Sequence, residues 1–490
     1  MPLLSAPAAL RRRTHLTLAT IGVVSVAVLG AQECSSAAAA TLTRGFSDTV
    51  WVSPGVRSQT TQEWARNVYA SGARIAEVEV DWSEYEPTRA ATGSKRAKAG
   101  SPANRAYGNW SALDRVVHTL TEAHVQVLFM VTAAPAWAEA NHGRDSSTEG
   151  YEPNDHALRD FMQALATRYD GHYRPSKKRG HPALPRVRYY QDWAEANLQI
   201  KLAPEWTRVH GQWVNTGATI YRNMLNSFYA GVKAASRSDK VIFTGLEAYG
   251  SLPTKSAAAR VSPVTFLANV LCLGGHLQKV CNTPTHFDIM AADPYDVGSP
   301  NTHALNYADA SAPDLGRLRR VLRAAARART IVPGSPKPFW VTEFSYDSNP
   351  PNPTAISTAK QARWLEDSFY VFWKEDVSDV FWYLIRDSAG DDYSTRYYSG
   401  IYFHNATKKP SFTAYRFPLV VAADRSRAQI WGIAPKSGEV LVQRRVGTGW
   451  KTVMRVHRKT GAVFSGYTAR SAHGAYRAVI GTASSLVWTY

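Results

Sequence analysis

The sequence predicts a closed (β/α)8 barrel over residues 41–414, followed by a small all-β sandwich over residues 415–490. Three observations carry this reading. From about residue 42 to 412, eight strand-like segments alternate with amphipathic, helix-like ones. No glycine-rich phosphate loop follows an early strand, which argues against the rival open, doubly wound sheet. After Phe417 the pattern shifts to short strands separated by glycine-containing turns.

The barrel strands are read at 44–49, 73–82, 125–133, 186–193, 240–248, 285–295, 337–344 and 377–385. Helical stretches at 111–123, 156–169, 220–235, 314–328 and 359–373 place apolar residues three or four apart, as one buried helix face requires. The C-terminal strands are read at 428–433, 439–446, 451–457, 462–467 and 476–481.

The N-terminus reads as a signal peptide, residues 1–40. Arg11, Arg12 and Arg13 precede the apolar run Leu16–Gly30, and small residues at Ser35–Ala40 offer a cleavage site. An uncleaved anchor is the alternative. A secreted, wall-associated protein is therefore expected. Removing residues 1–40 takes away three Arg and one Glu, so the net charge falls from +18 to 54 − 38 = +16. Such a chain should adhere electrostatically to polyanionic cell-wall polymers or a membrane surface. Nucleic acid is not expected, because no zinc spacing, RNP motif or helix-turn-helix is present. The basic runs at 93–100 and 174–181 read as solvated loops. The mature chain keeps Cys272 and Cys281, close enough in sequence for a loop-closing disulfide. No His spacing suggests a metal site, no cofactor is implied, and a monomer is the default.

In a barrel the chemistry sits at the C-terminal strand ends. Those ends deliver Glu195 after the fourth strand and Glu343 after the seventh. Two carboxyl groups across one barrel mouth are what glycoside hydrolysis needs: one protonates the leaving oxygen and the other attacks the anomeric carbon. Tyr295 on strand six and Trp382 on strand eight are candidates for the nucleophile's neighbour and an aromatic floor. Trp82 and Trp137 are candidate sugar platforms, with core packing the competing reading. Glu247 is a candidate cleft residue or a helix cap, and Asp48 binds a distal hydroxyl or fixes a loop. Asn197 is a candidate near the substrate, expected to brace the loop that carries Glu195.

Trp193-Ala194-Glu195-Ala196-Asn197 resembles the W-N-E-P-N motif of clan A glycoside hydrolases, and Trp340-Val341-Thr342-Glu343-Phe344 resembles their nucleophile segment. The likeness runs over the whole barrel and is nearest to families 5 and 39. It implies a retaining, carbohydrate-degrading enzyme with Glu195 as acid/base and Glu343 as nucleophile. In such enzymes the two carboxyl groups lie about 5–5.5 Å apart.

Two residues depart from the clan's pattern. Ala194 stands where an Asn normally bonds the sugar 2-hydroxyl. Glu77 stands where an Arg normally lies beneath the nucleophile. Glu77, Glu79 and Asp81 share one strand face by period-two alternation. If that face points inward, like charge would raise carboxyl pKa values there. Three readings follow. The protein hydrolyses an unusual sugar, an amino sugar or one lacking an accessible 2-hydroxyl, with Glu77 pairing a substrate amine; the polysaccharide is expected to be anionic or to carry amino sugars. Or a basic residue such as Arg386 balances the acidic face and the substrate is ordinary. Or the chain is a carbohydrate-binding pseudoenzyme. A transglycosylase would use the same residues.

Overall fold

The computed structural model describes residues 41–48, 51, 58–89, 99–140, 148–176, 182–251, 259–424, 427–469 and 474–490. The expected signal peptide at 1–40 lies outside them, as do most residues of the basic runs at 93–100 and 174–181. Among the described residues no helix is long and apolar enough to cross a membrane.

Eight parallel strands form the barrel: β1 (Thr43–Ser47), β2 (Ile75–Asp81), β3 (Gln126–Thr132), β4 (Tyr189–Asp192), β5 (Lys240–Ile242), β6 (Met290–Ala292), β7 (Phe339–Val341) and β8 (Asp379–Trp382). Their order is β5-β4-β3-β2-β1-β8-β7-β6, and a parallel bridge between Ile242 and Ile289 joins the two ends. The predicted (β/α)8 barrel is thus present.

The period of two along each strand sets the interior. Ile75, Leu128, Ile242, Ile289, Ala291, Trp340 and Phe381 form an apolar plug towards the N-terminal ends, with Tyr189 packed on it. On β1 this level is occupied by Gly45, where a Cβ would lie 2.8 Å from both Ile75 and Phe381 side chains. Two residues further along, the inward positions turn polar: Ser47, Glu77, Gln191, Asp293 and Thr342, with Met130 and Tyr383. The apolar plug therefore forms a dry floor beneath a layer of carboxyl and hydroxyl groups. The alternate residues Ala76, Val78 and Val80 of β2 face the helices instead.

Around the strands lie α1 (Ser58–Ser71), α2 (Ser111–Glu122), α3 (Asp155–Arg168), α4 (Thr216–Ala235), α5 (Pro263–Val270), α6 (Leu315–Ala328), α7 (Thr358–Lys374) and α8 (Pro410–Arg416). The sixth predicted strand is divided. Thr285–His286 pairs with Ile331–Val332 outside the barrel, and only Met290–Ala292 joins it. Asp288 causes the break: its carboxylate accepts from Val241 N at 2.8 Å and pairs with Lys233 at 2.7 Å. Cys272 and Cys281 are joined as a disulfide, with 5.1 Å between their Cα atoms.

The C-terminal region holds β9 (Leu419–Asp424), β10 (Arg427–Ile433), β11 (Gly438–Val446), β12 (Gly449–Arg458), β13 (Val463–Ala469) and β14 (Ala475–Ile480). A three-stranded antiparallel sheet, β9-β10-β13, accompanies a larger one built on β12-β11-β14. Tyr415 still belongs to the barrel's packing, stacked on Phe46 at 4.8 Å with its hydroxyl donating to Gly45 O at 2.9 Å. The β-sheet region begins at Leu419. It is fixed to α7: Trp431 packs on Tyr370 and Trp373, and Tyr370 donates to Gln429 at 2.7 Å.

One buried ion pair holds the long segment after β8. Lys409 Nζ donates to Asp387 at 2.6 Å, Ser348 Oγ at 2.8 Å and Tyr398 O at 2.9 Å, and both charged side chains have 0% exposure. Burial lifts the Asp387 carboxyl to about 6 against the opposing pull of Lys409. Removing one partner of such a pair strands the other charge. Lys409→Met is therefore expected to lower unfolding stability by about 3–5 kcal/mol in urea titrations. The Lys409→Met/Asp387→Leu double variant should recover much of that loss. A single variant within about 0.5 kcal/mol of wild type would contradict this role.

Candidate active site

The loop after β4 is built to present one carboxyl group. Trp193 (φ 66°) and Glu195 (φ 42°) both occupy the left-handed region, sparsely populated for residues with a Cβ. The turn is held from both sides. Trp193 N donates to Val131 O at 3.0 Å, Glu195 N to Gly245 O at 3.0 Å, and buried Trp193 donates its indole N–H to Lys201 O at 2.8 Å. Asn197, fully buried, donates to Glu247 O at 3.1 Å and Val261 O at 2.9 Å, and accepts from Glu247 N at 3.0 Å. It braces the loops after β4 and β5 against each other and is withdrawn from any substrate.

Glu343 follows β7. Tyr295, from the loop after β6, donates its hydroxyl to Glu343 Oε1 at 2.8 Å. Glu195 and Glu343 line one cavity of about 200 Å³ with Ser47, Asp48, Glu77, Glu79, Met130, Ala194, Lys201, Tyr383 and Tyr397. The barrel thus brings the two predicted glutamates together. The inward-pointing acidic face of β2 is also real, through Glu77 and Glu79. Asp81 instead accepts from Ser83 N and Glu84 N, capping the short helix Trp82–Tyr85.

Electrostatics separate the two glutamates. Burial raises both, but Glu195 goes further. After burial, its largest causes are the charges of Glu343, Asp293 and Glu247. Buried carboxyl groups this close to one another cannot all be ionised. Glu343 is raised less, because the Tyr295 hydroxyl and the Lys201 charge oppose its burial. Glu343 therefore ionises first, and Glu195 keeps its proton. Such a divergence separates acid from nucleophile.

Glu77 is 3% exposed. Ser47 Oγ donates to its Oε1 at 2.7 Å, while Oε2 has no hydrogen-bond partner among the described residues. Burial holds its pKa well above the usual range, with Glu343, Asp293 and Glu79 adding to the effect. Asp293, buried beside it, accepts from Thr342 Oγ1 at 2.7 Å and is raised by burial and by Glu343.

Lys201 is the cation that balances this ring. It pairs with Glu149. Burial alone would lower its pKa, but Glu149, Glu195 and Glu79 outweigh that and raise it. Arg386, the basic residue considered from sequence, does not line the cavity; its guanidinium lies 4.9 Å from the Trp64 ring. Lys201 lies six residues past Glu195, in a turn whose geometry no periodicity announces.

The aromatic candidates are corrected in part. Trp382 is fully buried, donates to Ser399 O at 2.8 Å and packs edge-on to Phe344 at 5.1 Å. By strand alternation its neighbour Tyr383 points inward, and Tyr383 with Tyr397 (centroids 5.0 Å apart) forms the aromatic wall. Trp82 is also fully buried, bonded to Glu86 at 2.7 Å and packed on Phe161. Trp137 lies against Trp82, donates to Glu86 O at 2.9 Å and is outside the cavity lining. Glu247 sits beside Glu195, with Arg260 3.7 Å away. Asp48 lines the cavity and accepts from Ile385 N at 3.0 Å, which fixes the segment after β8. Among the described residues no group of three or more His, Cys, Asp or Glu is arranged to hold a metal ion.

A barrel mouth with a tyrosine-bonded glutamate after β7 and a second buried glutamate after β4 has the form of a two-carboxylate glycosidase site. No protein-family model matches the sequence, and no curated protein matches it at the sequence level. Solved structures do match in fold. A family 39 glycoside hydrolase from the gut symbiont Bacteroides cellulosilyticus WH2 superposes with a TM-score of 0.52 at 13% identity, covering 88% of this chain and 81% of that one. A glucosidase from Croceicoccus marinus gives 0.49 at 11% identity, over 88% and 94% of the two chains. A GH5_18 protein from Bifidobacterium longum subsp. infantis gives 0.44 at 14% identity, over 76% and 77%. The first of these likenesses shows a shared fold.

The acid limb of the pH–rate profile should follow Glu343, which is raised above the usual glutamate value, so activity is lost as pH falls through that raised pKa. The alkaline limb should follow Glu195, raised further. Lys201 lowers both, so Lys201→Met is expected to move both limbs to higher pH. A kcat/KM profile with unmoved limbs would remove Lys201 from the account.

Proposed function

We propose that the chain is a secreted retaining glycoside hydrolase acting on a polysaccharide or oligosaccharide, with Glu343 as nucleophile and Glu195 as acid/base. The observation that carries this is the opposed setting of the two groups: Glu343 receives the Tyr295 hydroxyl, while buried Glu195 faces the charges of Glu343, Asp293 and Glu247. In the first step Glu195 gives its proton to the glycosidic oxygen as Glu343 attacks the anomeric carbon. The C–O bond breaks and a glycosyl ester on Glu343 remains. In the second step Glu195, now a carboxylate, takes a proton from water, which attacks the same carbon and releases Glu343.

The cavity's charge favours one kind of sugar. Glu77 Oε2 has no hydrogen-bond partner among the described residues, and Asp48 and Glu79 line the same space. An anionic sugar would meet repulsion there. A protonated amino sugar would supply the missing countercharge and let Glu77 ionise. Ala194 fits this reading, since an amino group in place of the 2-hydroxyl does not need the clan's usual Asn.

Glu343→Gln should leave no turnover above background with the fold intact by circular dichroism. Glu195→Gln should slow poor leaving groups by about 10²–10⁴-fold while sparing nitrophenyl-type leaving groups in the first step. Equal loss with both leaving groups would rule out Glu195 as the acid. On a polymer panel, reducing ends should be released from partly deacetylated amino-sugar polymers, and far less from fully N-acetylated or uronic-acid polymers. Retention of polymer without release would point to a pseudoenzyme, and product chains longer than the substrate to a transglycosylase.

A further inference from the structure

The β-sheet region carries a charge opposite to the cleft's. Residues 419–490 hold 11 Lys and Arg against 2 Asp and Glu, a net of +9, which is half of the whole chain's +18. The larger sheet has two unlike faces. Val440, Val442, Tyr476 and Ala478 are buried on its inner side. Register and alternation put Leu441, Gln443 and Arg445 of β11, Trp450 and Arg455 of β12, and Arg477 and Val479 of β14 on the outer side. No described element covers that face: Arg445 is exposed, the Arg455 side chain is 63% exposed, and Trp450 and Arg477 are half-buried. The Arg477 guanidinium lies 4.3 Å from the Trp450 ring centroid, and its Nε donates to Gln443 Oε1 at 2.9 Å. The one carboxylate nearby, Glu439, is itself exposed and 3.6 Å from Arg455, a contact that solvent screens.

We propose that this outer sheet face, centred on Arg445, Trp450, Arg455 and Arg477, is a docking surface for an anionic polysaccharide bearing carboxylate groups. Arginine forks match carboxylates two hydrogen bonds at a time. The flat apolar ground of Trp450, Leu441 and Val479 suits a pyranose face better than a phosphodiester strand. The inference does not rest on the reading of the cleft. The cleft is lined by carboxyl groups, so the docked polymer and the cleaved one differ in sign. Docking then holds the enzyme on a polyanionic matrix while the barrel works on another glycan.

The test is affinity electrophoresis of the mature chain in gels containing polygalacturonate, a neutral glucan, or duplex DNA, with anionic vesicle flotation alongside. Polygalacturonate should retard the protein and neutral glucan should not. Retardation should weaken with salt, as expected when Arg contacts displace counterions. An Arg445→Ala/Arg455→Ala/Arg477→Ala variant should bind at least 10-fold more weakly. An Arg323→Ala/Arg327→Ala/Arg329→Ala control removes the same charge from exposed positions on and just after α6 and should bind as wild type. Trp450→Ala should weaken polymer binding at every salt concentration. Thermal midpoints check that the variants fold; were the triple variant unfolded, Trp450→Ala and the control would decide. Equal weakening in both triple variants, or tighter binding to DNA or vesicles than to polygalacturonate, would overturn the proposal.

Discussion

A ring of carboxyl groups set over a dry barrel floor, with one lysine among them, is the constraint on which the rest of this molecule depends. Carboxylates removed from water cannot all be ionised together. Some must keep protons, and which ones do is decided by small local differences. At Glu343 the Tyr295 hydroxyl and the Lys201 charge tip the balance towards ionisation. At Glu195 burial and the charges of Glu343, Asp293 and Glu247 tip it towards the proton. Two chemically identical side chains thereby sit in opposed electrostatic settings.

The scaffold serves that distinction. The apolar plug of Trp340, Phe381, Ile75 and their neighbours gives the polar layer above it a water-free base. Gly45 lets the plug close on the β1 side. The Asn197 side-chain amide ties the Glu195 loop to the backbone of the Glu247 loop, which fixes the two loops relative to each other. The left-handed turn at Trp193 and Glu195 then brings Lys201 back to the mouth through the Trp193 indole. Because these contacts share one loop, a change at Asn197 or Trp193 is expected to move Glu195 and Lys201 together.

The barrel was legible because its signal is periodic: eight apolar runs, each ending in polar residues, with helical spacing between most of them. Glu195 and Glu343 were legible for the same reason, as strand-end carboxyl groups. What was lost lay at single-residue resolution or in turns. Trp382 reads as an aromatic floor in the sequence, yet alternation along β8 assigns the inward place to Tyr383. Trp82 seemed to end a strand, but Asp81 caps a helix there and turns the ring into the helix layer. Lys201 left no pattern at all, since a turn with two left-handed residues has no periodicity to read. The helix α1 and the strand β9 were also missed, and Asp288 divided a segment that its composition made continuous.

The most direct test of the two-glutamate account is the stereochemistry of the first product, followed by proton NMR in the seconds after enzyme is added to an oligosaccharide of known anomeric configuration. A glycosyl ester on Glu343, opened by water arriving from the face that the leaving group vacated, predicts that the first sugar appears with the substrate's own anomeric configuration before mutarotation. An inverted first product would mean that water attacks directly, and would contradict the assignment of Glu343 as the nucleophile.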